Sequence, residues 1–168
     1  MKGAALAVLE QTPGVLGSLL VAATKEQMDW QPSPDRWSVS MVLAHLADVE
    51  IQGFVKRFRA MVTEESPFLP AYDQHALFRS GERFDGPEQL ELFRERRQST
   101  LGWLASLPDE AGGRRGRHEE LGVITVDQLL HEFAFHDLGH IRQVAELYRS
   151  KAYYPHMGGF QRYYQINP

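Results

Sequence analysis

Two histidines, His136 and His140, lie four residues apart in a segment whose apolar spacing is typical of a helix. Four residues make slightly more than one helical turn, so both imidazoles leave the same face and can converge on one cation. Two ligands alone rarely hold a metal, and the chain has no cysteine to supply a thiolate. The pair therefore predicts a metal site completed by nitrogen or oxygen from elsewhere in the chain.

His45 is the best candidate for the third ligand. Val42, Leu46 and Val49 recur around it at i, i+4 and i+7, which places the histidine on or beside a stripe that faces the core. Three neutral imidazoles would leave a cation its full charge and at least one open position for water or substrate. That arrangement is typical of catalytic rather than structural metal sites.

Composition indicates one globular domain spanning residues 1–168. The chain is 43% hydrophobic, which is enough to bury a proper core, and its net charge of −4 gives no electrostatic reason to expect a nucleic-acid partner. A short basic cluster at residues 114–117 is expected to be a solvated loop. No apolar run is long enough for a membrane span and no signal core is evident, so a cytoplasmic location is expected.

The pattern along the chain predicts helices separated by loops that Pro and Gly mark. Thr12 and Pro13 indicate a helix start, because a capping hydroxyl precedes a ring that suits the first turn. Thr125 is the expected cap of the last helix. The main helices are predicted at residues 13–23, from Ser38 or Ser40 to about 63, at 87–107 and from 125 or 126 to about 151, with a short helix at 4–9.

These elements predict an all-α fold, a four-helix bundle with long connections and a metal site between facing helices. His45 lies on the second main helix, and His136 and His140 lie on the last. The loops are longer than a minimal bundle needs, which indicates that they shape a pocket.

Several segments together resemble the DinB-like superfamily of metal-binding four-helix proteins. The resemblance covers most of the chain and rests on residues 37–39, 45–50, 118–122, 125–126 and 136–143, whose order and spacing are specific in combination. It implies a divalent metal held by one histidine of the second helix and an HxxxH pair of a later helix, which match His45, His136 and His140. These are the three residues that the spacing indicates independently.

The resemblance also implies a class of chemistry. Members with assigned activities include an isomerase and transferases that use low-molecular-weight thiols such as bacillithiol or mycothiol. We therefore expect a metal-dependent enzyme, a thiol-dependent transferase or a hydrolase, acting on a small molecule. Zinc or nickel is the expected metal, with iron or manganese as alternatives, and a low-molecular-weight thiol is a second expected cofactor. The alternative is a metal-holding protein without turnover, such as a stress-associated interaction module.

Four more residues are candidates for the surroundings of the metal. Asp48, three residues beyond His45, could accept a hydrogen bond from an imidazole, against the alternative of a solvent-facing carboxylate. Gln143, three residues beyond His140, could line the same pocket or tie helices together. Tyr72 and Asp73 match a loop that lies near the site in similar sequences, so the resemblance implies substrate contact.

The other histidines are not expected to be ligands. His131 lies about 140° around the helix from His136, and the motif that it begins with Glu132 is HExxxH rather than the HExxH of zinc proteases. His75, His118 and His156 fall in predicted loops, where a histidine is usually a polar surface residue. The aromatic, Gly-containing segment at residues 153–164 is expected either to pack back on the bundle or to support a homodimer.

Overall fold

Six α-helices and a small sheet make up the computed structural model, which describes residues 2–79, 81 and 83–168. The helices are α1 Lys2–Leu19, α2 Lys25–Asp29, α3 Val39–Val49, α4 Lys56–Thr63, α5 Gly86–Ser106 and α6 Val126–Ala152. The bundle consists of α1, the α3–α4 run, α5 and α6. Along it, α1 packs against α6, and α3 packs against α5. The all-α bundle predicted from the sequence is therefore confirmed.

The α3–α4 run is one continuous helical stretch with a wider turn in its middle. Ser38 caps its start, because its hydroxyl accepts a hydrogen bond from the Met41 amide. A π-helical segment, Glu50–Val55, then joins α3 to α4. A π segment changes the phase of a helix locally and is frequent at functional sites. Here it follows His45 by little more than one turn and begins at the buried Glu50.

Helices α5 and α6 each start at a polar cap, of which Thr125 was predicted from the sequence. The Asp85 carboxylate accepts a hydrogen bond from the Glu88 amide at the start of α5. At α6, Thr125 accepts from the Gln128 amide while the Gln128 side chain accepts from the Thr125 amide, which is a complete capping box. These caps fix where α6 begins, and so the axial position of its two histidines.

The predicted helix break at Thr12 and Pro13 is wrong. Helix α1 runs unbroken through Pro13, and the Thr12 hydroxyl donates to the Val8 carbonyl instead of capping a new start. Proline has no N–H, so the Leu9 carbonyl four residues earlier loses its helical donor. The Arg97 guanidinium supplies a replacement, since Nη1 donates to the Leu9 oxygen over 2.7 Å. A distant residue thus allows the proline inside the helix.

A three-stranded sheet closes one side of the bundle, which the sequence pattern did not predict. Its strands are β1 Phe68–Leu69, β2 Arg115–His118 and β3 Gly122–Thr125; β1 pairs parallel with β2, and β2 pairs antiparallel with β3. Strands of two to four residues are too short to show a clear alternation of apolar and polar side chains.

Residues 115–117 of the basic segment lie on β2, so the predicted loop is a strand, although Arg114, Arg115 and Arg117 are exposed to solvent as predicted. Arg115 and Arg117 lie on β2, and the Arg114 guanidinium donates to the carbonyls of Met61 and Glu64 at the end of α4. His118 was expected on a surface loop but is buried at the end of β2. Its Nδ1 accepts from the amides of the following turn.

Two apolar clusters fill the bundle. One gathers side chains of α1, α2, α3, α5 and the second half of α6 around Leu43 and Phe93. The other gathers side chains of α1, the π segment, α4, α5 and the first half of α6 around Phe58 and Phe133. No helix in the described part of the chain combines the length and apolar character needed to cross a membrane.

Candidate metal centre

Helices α3 and α6 bring three imidazoles to one point. The Nε2 atom of His136 lies 3.2 Å from Nε2 of His45 and 3.1 Å from Nε2 of His140. His45 is buried, and His136 and His140 are half-buried. All three residues predicted from the sequence are therefore adjacent, although 91 positions separate His45 from His136.

The distances fit a shared cation. Two nitrogens that each lie about 2.0–2.1 Å from one ion in a tetrahedral shell are about 3.3–3.4 Å apart, and in an octahedral shell slightly under 3 Å. The observed separations fall between these values. No other group of three or more His, Asp or Glu side chains in the described residues offers donor atoms this close together. The donor set is neutral nitrogen, which suits zinc, nickel or iron better than magnesium or calcium.

The surroundings keep the three imidazoles neutral. Burial, together with the neighbouring histidines, lowers the pKa of His45 to about 3 and that of His136 to about 2. Burial also lowers the pKa of His140, against the opposing effect of its hydrogen bond to Gln143. A metal binds the unprotonated nitrogen, so no proton has to be displaced from these rings at neutral pH.

Gln143 fixes the tautomer of one ring. The His140 Nδ1 lies 2.8 Å from Gln143 Oε1, and because an amide oxygen only accepts, Nδ1 carries the proton and Nε2 presents its lone pair to the cluster. Among the described residues, Nδ1 of His45 and of His136 have no such acceptor. The protein therefore orients His140 by a hydrogen bond and the other two rings by packing.

Packing around the cluster is aromatic. The Trp37 ring lies 4.9 Å from the His45 ring and stacks nearly parallel to His140 at 6.4 Å. Phe54, on the π segment, meets the edge of His136 at 5.3 Å. Trp37 also contacts Phe78 from the long loop after α4. These rings restrict the orientation of the imidazoles and exclude water from one side of the cluster.

Asp48 does not contact His45. Its carboxylate instead accepts a hydrogen bond from the Tyr72 hydroxyl over 2.7 Å, and Tyr72 places its ring 5.9 Å from that of His45. Burial and this hydrogen bond raise the pKa of Tyr72, so the phenol stays protonated. Asp48 and Tyr72 thus fasten the long loop to α3 beside the site.

Asp73 lies outside the cluster. Its exposed carboxylate pairs with Arg79 and accepts from the His75 amide, so it orders the loop rather than the metal centre. His131 is exposed and separate from the three rings, as the helical spacing indicates.

A cleft of about 680 Å³ opens beside the half-buried pair. It reaches His136 and His140 and runs along the outer face of α6 past Glu132, Arg142 and Glu146. Its remaining lining comes from Arg36, Phe135, Gly139, Gln143 and the C-terminal pair Asn167 and Pro168. The Asn167 amide donates to Glu146, which holds the C-terminal segment at the rim. The volume suits a small-molecule ligand.

A fully buried ion network, which the sequence pattern did not predict, lies behind the cluster. Arg97 of α5 donates through Nη1 to Asp137 over 2.6 Å and through Nη2 to Glu50 over 2.9 Å, and both carboxylates are buried. All five guanidinium N–H groups find acceptors on Glu50, Asp137 or the Leu9 carbonyl. Burial raises the pKa of Glu50, against the opposing effect of Arg97.

This network ties together the helices that carry the three histidines. Asp137 lies between His136 and His140 in sequence and points away from them into the core, while Glu50 follows α3 at the start of the π segment. The guanidinium also lies 4.7 Å from the rings of Phe93 and Phe133, one from each apolar cluster. Arg97 therefore fixes how α3 and α6 face each other. The sequence does contain a sign of this network, because one buried stripe of α5 carries an arginine at a core position. The stripe consists of Phe93, Arg97, Thr100 and Leu104.

The lowered pKa values predict how the metal-free protein responds to acid. Below pH 6.5 the unfolded chain protonates His45 and His136 while the native state does not. The unfolded state therefore binds more protons, and the free energy of unfolding falls as the pH is lowered. Each imidazole then contributes a slope of about 1.4 kcal/mol per pH unit. Urea unfolding of chelator-treated protein between pH 7.5 and 5 should show this decline. The His45→Gln, His136→Gln double variant should show a clearly smaller decline, with the contribution of His140 remaining, and equal slopes would contradict the pKa directions.

Comparison with known proteins supports the helical-bundle fold and finds relatives whose names describe them as metal-dependent. The family model described as the DinB superfamily matches residues 8–144. YfiT of Bacillus subtilis, whose name provisionally assigns it as a metal-dependent hydrolase, is 29% identical over 145 residues, covering 84% of this chain and 81% of YfiT. A protein of Oceanobacillus iheyensis with the same provisional assignment is 24% identical over 147 residues, covering 85% and 83%. The solved YfiT structure, described as a four-helix bundle of unusual topology, superposes with a TM-score of 0.79 at 28% identity, covering 89% of this chain and 86% of YfiT.

Proposed function

The chain belongs to the DinB superfamily, and from that premise we propose that it is a metal-dependent hydrolase of small molecules. The observation that carries the proposal is the convergence of three neutral imidazole Nε2 atoms, two of them at the wall of an open cleft. The provisional assignment of its relatives as metal-dependent hydrolases supports the same activity.

In the proposed site, His45, His136 and His140 hold one divalent cation. When bound, such a cation polarises a carbonyl or phosphoryl oxygen and lowers the pKa of a water molecule toward neutrality. Three protein ligands leave at least one position open, which is the arrangement of catalytic rather than structural zinc sites. Zinc and nickel are the first metals to test.

The other residues position these groups. Gln143 keeps the His140 proton on Nδ1, so that Nε2 faces the cation. Trp37 and Phe54 limit rotation of the three rings and keep one side dry, while the cleft on the other side admits substrate. The Arg97 network holds α3 and α6 at the separation that three ligands on two helices require. The chain thus supplies a preorganised set of donors, which reduces the reorganisation needed when the metal binds.

Turnover of chromogenic probes tests the proposal. Untagged protein loaded with Zn²⁺ or Ni²⁺ is assayed with p-nitrophenyl esters, p-nitrophenyl phosphate esters and p-nitroanilides, beside chelator-treated protein. We expect hydrolysis of at least one probe class about 100-fold faster with metal than without it, restored by adding metal back. If no probe is hydrolysed above the metal-free rate, the hydrolase proposal is contradicted.

The same assay separates hydrolysis from the thiol-dependent transfer that the family resemblance implies. Bacillithiol or mycothiol is added together with an electrophilic acceptor, and the consumption of thiol is followed. Hydrolysis should proceed at the same rate without thiol. Turnover that occurs only with thiol would replace the hydrolase assignment by a transferase assignment.

A further inference from the structure

Glu132 stands one helical turn before His136 on α6, so Glu132, His136 and His140 follow one another at steps of four residues. Residues at this spacing share a face of a helix, with neighbouring Cβ atoms about 5–6 Å apart. All three side chains line the same cleft. Glu132 therefore stands close enough to act on a small molecule bound at the histidines.

The other carboxylates around the site are already engaged. Glu50 and Asp137 bind Arg97, and Asp48 accepts from Tyr72. Glu146, which also lines the cleft, pairs with Arg149 and accepts from the Asn167 amide. By contrast, Glu132 has no hydrogen-bond or ion-pair partner within the described ranges. No structural contact of the described residues therefore accounts for this glutamate, whose side chain lines the cleft.

The surroundings of Glu132 raise the pKa of its carboxyl group, which favours proton transfer near neutral pH. Glu132 as a whole is exposed, but partial burial of its carboxyl group is the largest effect on that group and raises its pKa above the usual 4.5; Arg57 of α4 opposes the rise and Asp137 adds to it. The charged or titratable groups that line the cleft with it are Arg36, His136, His140, Arg142 and Glu146. A carboxyl group whose pKa moves toward neutrality can both take and return a proton near physiological pH.

We propose that Glu132 is the proton-transfer residue of this site, acting on water and on the leaving group of a bound substrate. The inference rests on the proposed hydrolase function. For an ester, the carboxylate takes a proton from the attacking water as the water oxygen bonds to the acyl carbon. It then returns that proton to the alkoxide as the carbon–oxygen bond breaks. One water is consumed, an acid and an alcohol form, and no oxidant or reductant takes part.

Glu132→Gln tests the role, because glutamine keeps the shape of the side chain but cannot accept a proton. Glu95→Gln is the control, since Glu95 is an exposed carboxylate on α5 that does not line the cleft. On a p-nitrophenyl ester that the metal-loaded wild type hydrolyses, Glu132→Gln should lower kcat by about 100-fold or more, with KM changed less than about threefold. It should also remove the acidic limb of the pH profile. The control should keep wild-type kcat and pH profile.

Two measurements that need no turnover accompany the kinetics. Affinity for Zn²⁺ should be the same in Glu132→Gln as in the wild type within about threefold, because Glu132 is not one of the proposed ligands. In ¹³C-glutamate-labelled protein, the resonance missing from Glu132→Gln identifies the Glu132 carboxyl. Its titration should lie above 4.5 without metal and move to lower pH on adding Zn²⁺, because a nearby cation favours the carboxylate.

The outcomes separate the two proposals. Full kcat in Glu132→Gln, or a Glu132 titration that does not respond to Zn²⁺, overturns the role of Glu132 and leaves the hydrolase proposal standing. A metal-loaded wild type that hydrolyses none of the probes overturns the hydrolase proposal, and the role of Glu132 falls with it. Loss of kcat with unchanged metal affinity and a responsive titration supports both.

Discussion

Replacing Arg97 with methionine is expected to lower the free energy of unfolding by about 3–5 kcal/mol, the usual cost of removing one partner of a buried ion network. The substitution leaves Glu50 and Asp137 buried without a cation. It also leaves the Leu9 carbonyl without a donor, because Pro13 cannot supply one. For a chain of this length the loss corresponds to a drop in Tm of about 6–20 °C.

A matched control lies one turn earlier on the same helix. Arg94→Met removes an exposed arginine whose one ion-pair partner among the described residues is Glu91, and it should change stability by less than about 1 kcal/mol. Arg97→Lys keeps the charge but not the five-donor fork, so its loss should lie between the two. Chemical denaturation of the three variants measures the series. If Arg97→Met unfolds at the same denaturant concentration as Arg94→Met, the network does not stabilise the fold as argued.

Replacing His136 with alanine is expected to weaken metal binding by about 100-fold or more, since even the loss of an outer partner of a metal ligand typically costs 10- to 100-fold. His136 is the central one of the three proposed ligands, because its Nε2 lies within 3.2 Å of both other Nε2 atoms. Far-UV circular dichroism should show the helices intact, because the packed apolar clusters lie on either side of the site. Competition with a chromogenic chelator measures the affinity for Zn²⁺ and Ni²⁺.

His131→Ala is the control for this substitution. It removes a histidine from the same helix, five residues earlier, whose exposed side chain is not part of the cluster. Its affinity for metal should equal that of the wild type. Equal weakening in His131→Ala and His136→Ala would mean that the measured metal binds at scattered surface histidines.

The bundle and the three histidines were predictable because both depend on local periodicity. The HxxxH spacing places two rings on one face of α6 whatever surrounds them, and the apolar residues around His45 place it toward the core. Capping residues such as Thr125 and Ser38 carry their signal within four positions. Helix starts at these positions therefore follow from the sequence alone.

What the sequence did not reveal depends on contacts between distant segments. Pro13 stays inside α1 because Arg97, 84 positions later, donates to the carbonyl that the proline leaves free. Asp48 binds Tyr72 rather than an imidazole because the long loop folds over α3, and no local pattern encodes that choice. The strands around His118 are too short for a period to appear. Glu132 is four residues before His136, so helical spacing alone places it on the same face of α6. Because its HExxxH spacing departs from the HExxH of zinc proteases, the motif indicated no role for this glutamate.

The most direct test of the central claim is anomalous diffraction from crystals of the protein loaded with Zn²⁺, recorded on both sides of the zinc absorption edge. We predict one strong anomalous peak at about 2.0–2.1 Å from Nε2 of each of His45, His136 and His140. The opposite result is an anomalous peak at other side chains, or no peak among the three Nε2 atoms. That result would contradict the three-histidine metal centre, and the hydrolase proposal built on it would fall.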